Sequence, residues 1–162
     1  MSSSKTLGGV QAETEAPLRI QTLGGFHVWL NGLKLGPAAW GREKALHLFQ
    51  LFVTIRQSGV HLHKEQIIDR LWPEADLEGG DRDFKVALLT INKTLEPERK
   101  PRTEPHFIHR HGLTYGLNLE GVSIDADEFE HLIAVGNQAK PSDERTAIAC
   151  YQQALALYKG DY

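Results

Sequence analysis

The chain has 162 residues, 41% of them hydrophobic and 24% charged, as in an ordinary globular protein of one domain or slightly more. No apolar run approaches the roughly 18–20 residues of a membrane-spanning helix, and no secretory signal follows the first methionine. A single cysteine, Cys150, excludes an internal disulfide and metal sites built on cysteine pairs. These totals predict a cytoplasmic protein.

The net charge of −3 is unevenly distributed along the chain. Residues 18–122 carry 14 basic and 12 acidic side chains, for +2, together with seven of the eight histidines. Residues 123–162 carry three basic and seven acidic side chains, for −4, and residues 1–17 carry −1. We therefore expect three segments: a leader or linker over 1–17, a mildly basic domain over 18–122, and an acidic segment over 123–162.

The basic segment begins with short strands and continues with helices. Residues 18–23, 26–30 and 33–35 read as strands, and Asn31-Gly32 predicts a two-residue hairpin turn, so an amino-terminal antiparallel sheet is expected. Helices are predicted over 42–57, 64–72 and 81–95, with Asp81 as the N-cap of the third helix and residues 73–80 as an acidic loop.

A second hairpin and two amphipathic helices complete the predicted elements. Residues 107–110 and 113–119 bracket His111-Gly112, and residues 113–119 alternate apolar and polar side chains, which indicates a hairpin with a basic, histidine-rich tip. Residues 127–139 and 142–159 read as helices, the second capped by Ser142. The predicted fold class is α+β: a winged helix-turn-helix made of an amino-terminal sheet, three helices and a carboxy-terminal hairpin wing, followed by an α-helical hairpin.

The third helix has two distinct faces. At 100° per residue its core face holds Phe84, Leu88, Ile91 and Leu95, with Ala87 at the edge. The opposite side carries Arg82, Lys85, Leu89 and Lys93, flanked by Val86 and Asn92. Cations, an amide and small apolar groups suit phosphates, adenine edges and thymine methyls, although cations opposite a core face also occur on any surface helix.

These patterns together predict a DNA-binding surface. We expect Arg82, Lys85, Leu89, Asn92 and Lys93 in the major groove, and His109, Arg110 and His111 of the hairpin on the backbone or minor groove. The binding partner would be double-stranded DNA. Because +2 is a small charge for a groove binder, binding by more than one copy on repeated half-sites is expected.

Five segments carry a resemblance to a known family. They are Arg42-Glu43-Lys44-Ala45-Leu46, Leu71-Trp72-Pro73-Glu74-Ala75-Asp76, Phe84-Lys85-Val86-Ala87-Leu88, Asn92-Lys93-Thr94-Leu95-Glu96-Pro97 and Tyr115-Gly116-Leu117. Over residues 18–122 the chain resembles a SARP-type regulator, a bacterial transcription activator with an OmpR-type DNA-binding domain. Residues 123–162 resemble the start of the bacterial transcriptional activator domain, whose helices are arranged as in tetratricopeptide repeats.

The resemblance has consequences for the acidic loop and for charge. It implies that the loop with Glu74, Asp76 and Glu78 contacts RNA polymerase, while a plain solvated connector is the equally good alternative. The family commonly has an Arg-Arg pair where this chain has Asn92-Lys93, and an arginine where this chain has Gly116. Both departures lower the positive charge, so a winged helix used for protein–protein interaction within a larger signalling protein is the alternative function.

Other chemistries lack a supporting pattern. His61, His63, His106, His109 and His111 have no cysteine or acidic partner at ligand spacing, so no metal site is predicted. No nucleophile elbow, phosphate loop or catalytic dyad occurs, so no enzyme, cofactor or small-molecule substrate is predicted. A hairpin with His109 and His111 would gain affinity for DNA as the pH falls, since free imidazole titrates near 6.5.

Overall fold

The computed structural model describes residues 16–56 and 61–160, so nearly all of the predicted leader and the predicted helix end at Gln57 lie outside the described residues. The chain forms two compact units. The central unit covers residues 36–120, and the sheet–helix unit combines the chain before residue 36 with the chain from residue 121 onward. The predicted boundary between residues 122 and 123 differs from this division. It separates the amino-terminal strands from the carboxy-terminal helices, which here belong to the same unit.

Seven strands and five α-helices follow one another along the described chain. The strands are β1 (Leu18–Gln21), β2 (His27–Leu30), β3 (Leu33–Lys34), β4 (Leu62–His63), β5 (Ile108–His111), β6 (Thr114–Leu117) and β7 (Val122–Ile124). The helices are α1 (Glu43–Thr54), α2 (Lys64–Leu71), α3 (Leu77–Leu95), α4 (Asp125–Ala139) and α5 (Glu144–Leu157), and a 3₁₀ turn at Pro37–Trp40 precedes α1.

The sheet of the sheet–helix unit has the strand order β3-β2-β1-β7. Asn31 and Gly32 both have positive φ, 50° and 85°, as expected for the predicted turn between β2 and β3. The three amino-terminal strands are antiparallel, as predicted, and β7, which the prediction did not include, pairs in parallel with β1, with Leu18 opposite Val122. A three-residue strand whose partner lies about a hundred residues earlier leaves no local signal in the sequence.

Asp125 connects this sheet to the first turn of α4. Its carboxylate accepts hydrogen bonds from the backbone N–H of Thr22 (2.7 Å) and Leu23 (3.0 Å) and from the Thr22 hydroxyl (2.8 Å). It also accepts from the backbone N–H of Ala126 at 2.8 Å, at the start of the helix. One side chain thereby fixes the end of β1 against the beginning of α4.

The helices α4 and α5 form the predicted helical hairpin. Gly136 of α4 allows a close approach, since a Cβ built there would lie 2.6 Å from the ring of Tyr151. The Tyr151 hydroxyl donates to Asn137 Oδ1 at 2.6 Å. Asp143 rather than Ser142 is the N-cap of α5, and hydrogen bonds from the Thr146 hydroxyl and backbone lower the pKa of the Asp143 carboxyl.

The central unit is built around the apolar faces of its three helices. Its fully buried large side chains are Leu48, Phe49, Phe52, Val53, Ile67, Phe84 and Ile91. Trp40 of the 3₁₀ turn is also buried and stacks on Phe49 with ring centroids 5.0 Å apart. The core face predicted for the third helix is therefore the buried face of α3.

The helix α3 begins four residues earlier than predicted. Its N-cap is Asp76, which accepts from the backbone N–H of Gly79 at 2.7 Å, so the prediction of Asp81 as the cap is wrong. Gly80 is buried, and a Cβ there would lie 2.6 Å from Ile68 of α2. Gly80 thus packs closely against α2, and Gly79 donates to the cap, so both glycines lie within the helix despite their low propensity and the predicted loop over 73–80 is shorter than expected.

Candidate nucleic-acid interface

The exposed face of α3 carries most of the predicted DNA-contacting residues. Arg82, Lys85 and Lys93 are exposed, and the Leu89 side chain is 54% exposed among them. Phe84 and Ile91, on the other side of the helix, are fully buried. A helix with one side fixed in the core and cations on the other can present those cations to a partner without further rearrangement.

Asn92 does not lie on this exposed face, and the prediction that it does is wrong. It is only 8% exposed, and on a helical wheel it falls about 80° from Phe84, at the edge of the core face. Its Oδ1 atom is buried and has no hydrogen-bond partner in the described part of the chain. An amide in this position is not available to read a base edge.

Asp81 offsets part of the positive charge on α3. Its carboxylate contacts Lys64 Nζ at 2.6 Å and Lys85 Nζ at 2.9 Å, so one anion bridges two cations. The hydrogen bond from Lys64, followed by that from Lys85, lowers the pKa of Asp81. Lys64 was not among the predicted site residues, because its proximity to α3 depends on how α2 packs.

The β5–β6 hairpin is fixed next to α3 at both ends. Glu96, just after α3, accepts at Oε2 from the backbone N–H of His106 (2.9 Å) and Phe107 (3.2 Å), which holds the start of the hairpin. Tyr115 of β6 packs edge-on against Phe84 of α3, with ring centroids 5.0 Å apart. The hairpin also pairs with β4, so these three strands form a second, antiparallel sheet.

Basic and histidine side chains lie at the tip of this hairpin, as predicted. Arg110 and His111 are exposed and His109 is half-buried. Arg110 Nε donates to the Gly112 carbonyl at 2.8 Å, and its guanidinium lies 5.8 Å from the centre of the Tyr115 ring. His61, from the segment before β4, lies edge-on to His111 at 5.2 Å.

A groove between α3 and the hairpin, here called the helix–hairpin groove, has a volume of about 390 Å³. Of the predicted DNA-contacting residues it is lined by Lys85, Leu89, Asn92 and Arg110. Arg82, Lys93, His109 and His111 do not line it. The groove shows that the exposed side of α3 and the cation of the hairpin face a common space.

The histidines do not form a metal site in the described part of the chain, where no group of three or more His, Cys, Asp or Glu side chains could hold an ion. His63 instead caps α2, its Nδ1 accepting from the backbone N–H of Glu65 at 3.1 Å. The ring of His111 lies 5.2 Å from that of His61 and 6.1 Å from that of His109, so three imidazole rings cluster at the hairpin.

The acidic segment before α3 is exposed but only partly a loop. Glu74 and Asp76 precede the helix, whereas Glu78 lies in its first turn, which corrects the prediction that it belongs to the loop. Asp76 is engaged as the helix cap. Leu77, next to these carboxylates, is 85% exposed, so the segment presents an apolar side chain among acidic ones.

No helix in the described part of the chain is long and apolar enough to cross a membrane. No protein-family model matches the chain, and no curated protein matches it in sequence. A solved structure of Mycobacterium tuberculosis EmbR, in complex with a low-affinity phosphopeptide, is similar in fold, with a TM-score of 0.68 and 16% sequence identity. The match covers 90% of this chain and 37% of the EmbR chain. The chain therefore shares the mixed α+β fold of part of the EmbR chain.

Proposed function

We propose that the chain is the DNA-binding part of a SARP-type transcription regulator, with α3 in the major groove and the β5–β6 hairpin acting as a wing on the flanking backbone or minor groove. The observation that carries this proposal is the common face formed by α3 and the hairpin, on which Lys85 and Arg110 border one groove. The fold likeness to EmbR supports the regulator class.

The dimensions of α3 suit this role. Its 19 residues give a length of about 28 Å, and the major groove, about 12 Å wide, admits an α-helix. Arg82, Lys85 and Lys93 are exposed along one side of it and can contact phosphates or guanine edges. Leu89 lies among them and offers an apolar contact for a thymine methyl group.

The acidic segment before α3 is proposed to contact RNA polymerase, which would make the protein an activator. The segment offers such a partner an exposed apolar side chain, Leu77, next to acidic ones. Replacing Leu77 and Glu74 with alanine should lower transcription from a target promoter in vitro, while affinity for that promoter stays unchanged. Equal loss of affinity and transcription would contradict a polymerase contact.

Two copies on repeated half-sites are proposed as the bound form, because one copy offers few exposed cations. Selection of genomic fragments by the purified chain at about 50 mM salt should enrich a repeated motif, and titration of that motif should end at two chains per site. Failure to enrich any sequence, or saturation at one chain, would contradict sequence-specific binding by two copies.

A protein-interaction module is the second candidate function, favoured by apolar exposure on the same face. Leu89 is 54% exposed and Leu113, at the hairpin turn, is 48% exposed, while Asp81 reduces the positive charge beside them. Salt dependence distinguishes the two functions. DNA binding weakens steeply as salt rises, whereas an apolar protein contact does not.

A further inference from the structure

We infer that the helix–hairpin groove binds a small amphipathic anion, of the class of a single-ring aromatic carboxylate that also carries a hydroxyl group. Four observations define this ligand: the volume of the groove, its apolar walls, a buried amide without a partner, and cations at the rim. All of the lining residues belong to the central unit, so the site is complete within residues 36–120.

The volume limits the ligand to a small molecule. About 390 Å³ lies near the lower end of the 300–1,000 Å³ that is usual for ligand sites, and it suits one aromatic ring with short substituents. The walls are apolar side chains of α3 and the hairpin: Phe84, Leu88, Leu89, Leu113 and Tyr115. Leu89 and Leu113 are each about half exposed, so a ring placed between them would cover apolar surface that now faces water.

The amide of Asn92 specifies a polar group on the ligand. It lines the groove, is 8% exposed, and its buried Oδ1 lacks a hydrogen-bond partner in the described residues. A buried acceptor without a donor is unfavourable by about 1–3 kcal/mol, so such groups are rare unless something else supplies the donor. A rotation of the amide toward the groove, which Asn92 lines, would let a hydroxyl on the ring supply it.

The rim of the groove specifies a negative charge. Lys64, Lys85 and Arg110 line it, and Asp81, which bridges the two lysines, offsets one of the three positive charges. The remaining +2 faces a space without an acidic lining residue. A carboxylate at the rim would accept charge-assisted hydrogen bonds from these groups while the ring lies between the apolar walls.

Occupation of the groove has a consequence that rests on the proposed function. Lys85, Leu89 and Arg110 belong both to the groove and to the proposed DNA-binding face, so the anion and DNA would compete. The anion would then act as a releasing effector. Binding of the anion itself does not depend on DNA and can be measured without it.

The test uses 4-hydroxyphenylacetate as the probe, with phenylacetate and 4-hydroxyphenylethanol as its matched analogues. Chemical-shift changes of the ¹⁵N-labelled chain are followed in a titration up to about 10 mM, since a ligand of this size binds with a Kd of about 0.1–3 mM. We expect saturable changes at Leu89, Asn92 and Arg110. Phenylacetate should bind about fivefold more weakly, and 4-hydroxyphenylethanol about tenfold more weakly.

Two variants make the test specific. Asn92→Leu keeps the groove apolar, and we expect it to bind phenylacetate as well as 4-hydroxyphenylacetate, which removes the fivefold preference of the wild type. Leu155→Ala, at an exposed leucine of α5 outside the groove, is the matched control and should bind as the wild type does. Thermal unfolding of each variant confirms that it is folded.

Three outcomes would overturn the inference: no saturable shift changes at the groove, equal affinity for all three probes, or an unchanged preference in Asn92→Leu. A fourth outcome would also overturn the inference: chemical-shift changes that depend on protein concentration alone would assign the groove to a second copy of the chain. Failure of the proposed function looks different, because DNA binding is measured separately and without the probe.

Discussion

Removing the charge of Lys93 provides the most direct test of the proposed DNA-binding face. The side chain is exposed on α3, next to Leu89 and away from the helix–hairpin groove, so Lys93→Ala changes charge and leaves the packing of the helix in place. The variant should weaken binding to all DNA sequences by a similar factor, because a phosphate contact carries no sequence information.

The expected magnitude follows from the exposed cations of the proposed face, which are Arg82, Lys85, Lys93 and Arg110. Four phosphate contacts at about −0.9 each give a slope of about −3.6 for log K against log salt, which is about a 150-fold loss of affinity between 50 and 200 mM salt. Without Lys93 the slope becomes about −2.7 and the loss falls to about 40-fold.

Fluorescence anisotropy of a labelled promoter fragment, titrated at four salt concentrations above pH 7.5, measures both slopes. Lys140→Ala, an exposed lysine at the end of α4 in the sheet–helix unit, is the matched control and should keep the wild-type slope. A wild-type slope shallower than −1, or the same slope in wild type and Lys93→Ala, would refute the assignment of α3 to DNA.

Two further changes test other parts of the structure. Asp81→Asn should raise affinity for DNA about three- to tenfold at low salt, as measured by anisotropy, because it releases two lysines and removes one negative charge. Since the pKa of Asp81 is lowered in the folded protein, its stabilisation is complete above about pH 4 and is lost as the pH falls through the folded value. Urea unfolding of wild type and Asp81→Asn should therefore converge in acid, and a constant difference at every pH would contradict the ion pairs. Asp125→Ala should lower the free energy of unfolding by about 2–3 kcal/mol in urea titrations, because four hydrogen bonds are lost, and a change below about 0.5 kcal/mol would show that water replaces them.

Local patterns in the sequence predict much of this fold. Asn31-Gly32 predicts the turn between β2 and β3, and the spacing of Phe84, Ile91 and Leu95 identifies the buried face of α3. The exposed cations opposite that face follow from the same periodicity. Each of these features depends on residues close together in the chain, where helical or strand geometry fixes the neighbours.

Features that depend on distant residues were not predictable in this way. The start of α3 is set by Ile68 of α2 packing against Gly80, and the pairing of β7 with β1 joins residues about a hundred positions apart. At the candidate site, the ion pair of Lys64 with Asp81 depends on how two helices meet. Asn92 lies at the border between core and surface, where the packing of neighbouring elements decides whether a side chain is exposed.

The parallel pairing of β7 with β1 has a consequence for synthesis on the ribosome. β1 is complete once residue 21 has been made, but its second neighbour ends at Ile124, about a hundred residues later. At a synthesis rate of about 5–20 residues per second, β7 is made about 5–20 s after β1. During that time one edge of β1 is unpaired and open to other chains. The central unit, encoded between the two strands, can fold during this interval, so a nascent chain that stalls before residue 122 would expose an aggregation-prone edge of β1 even after the central unit has folded.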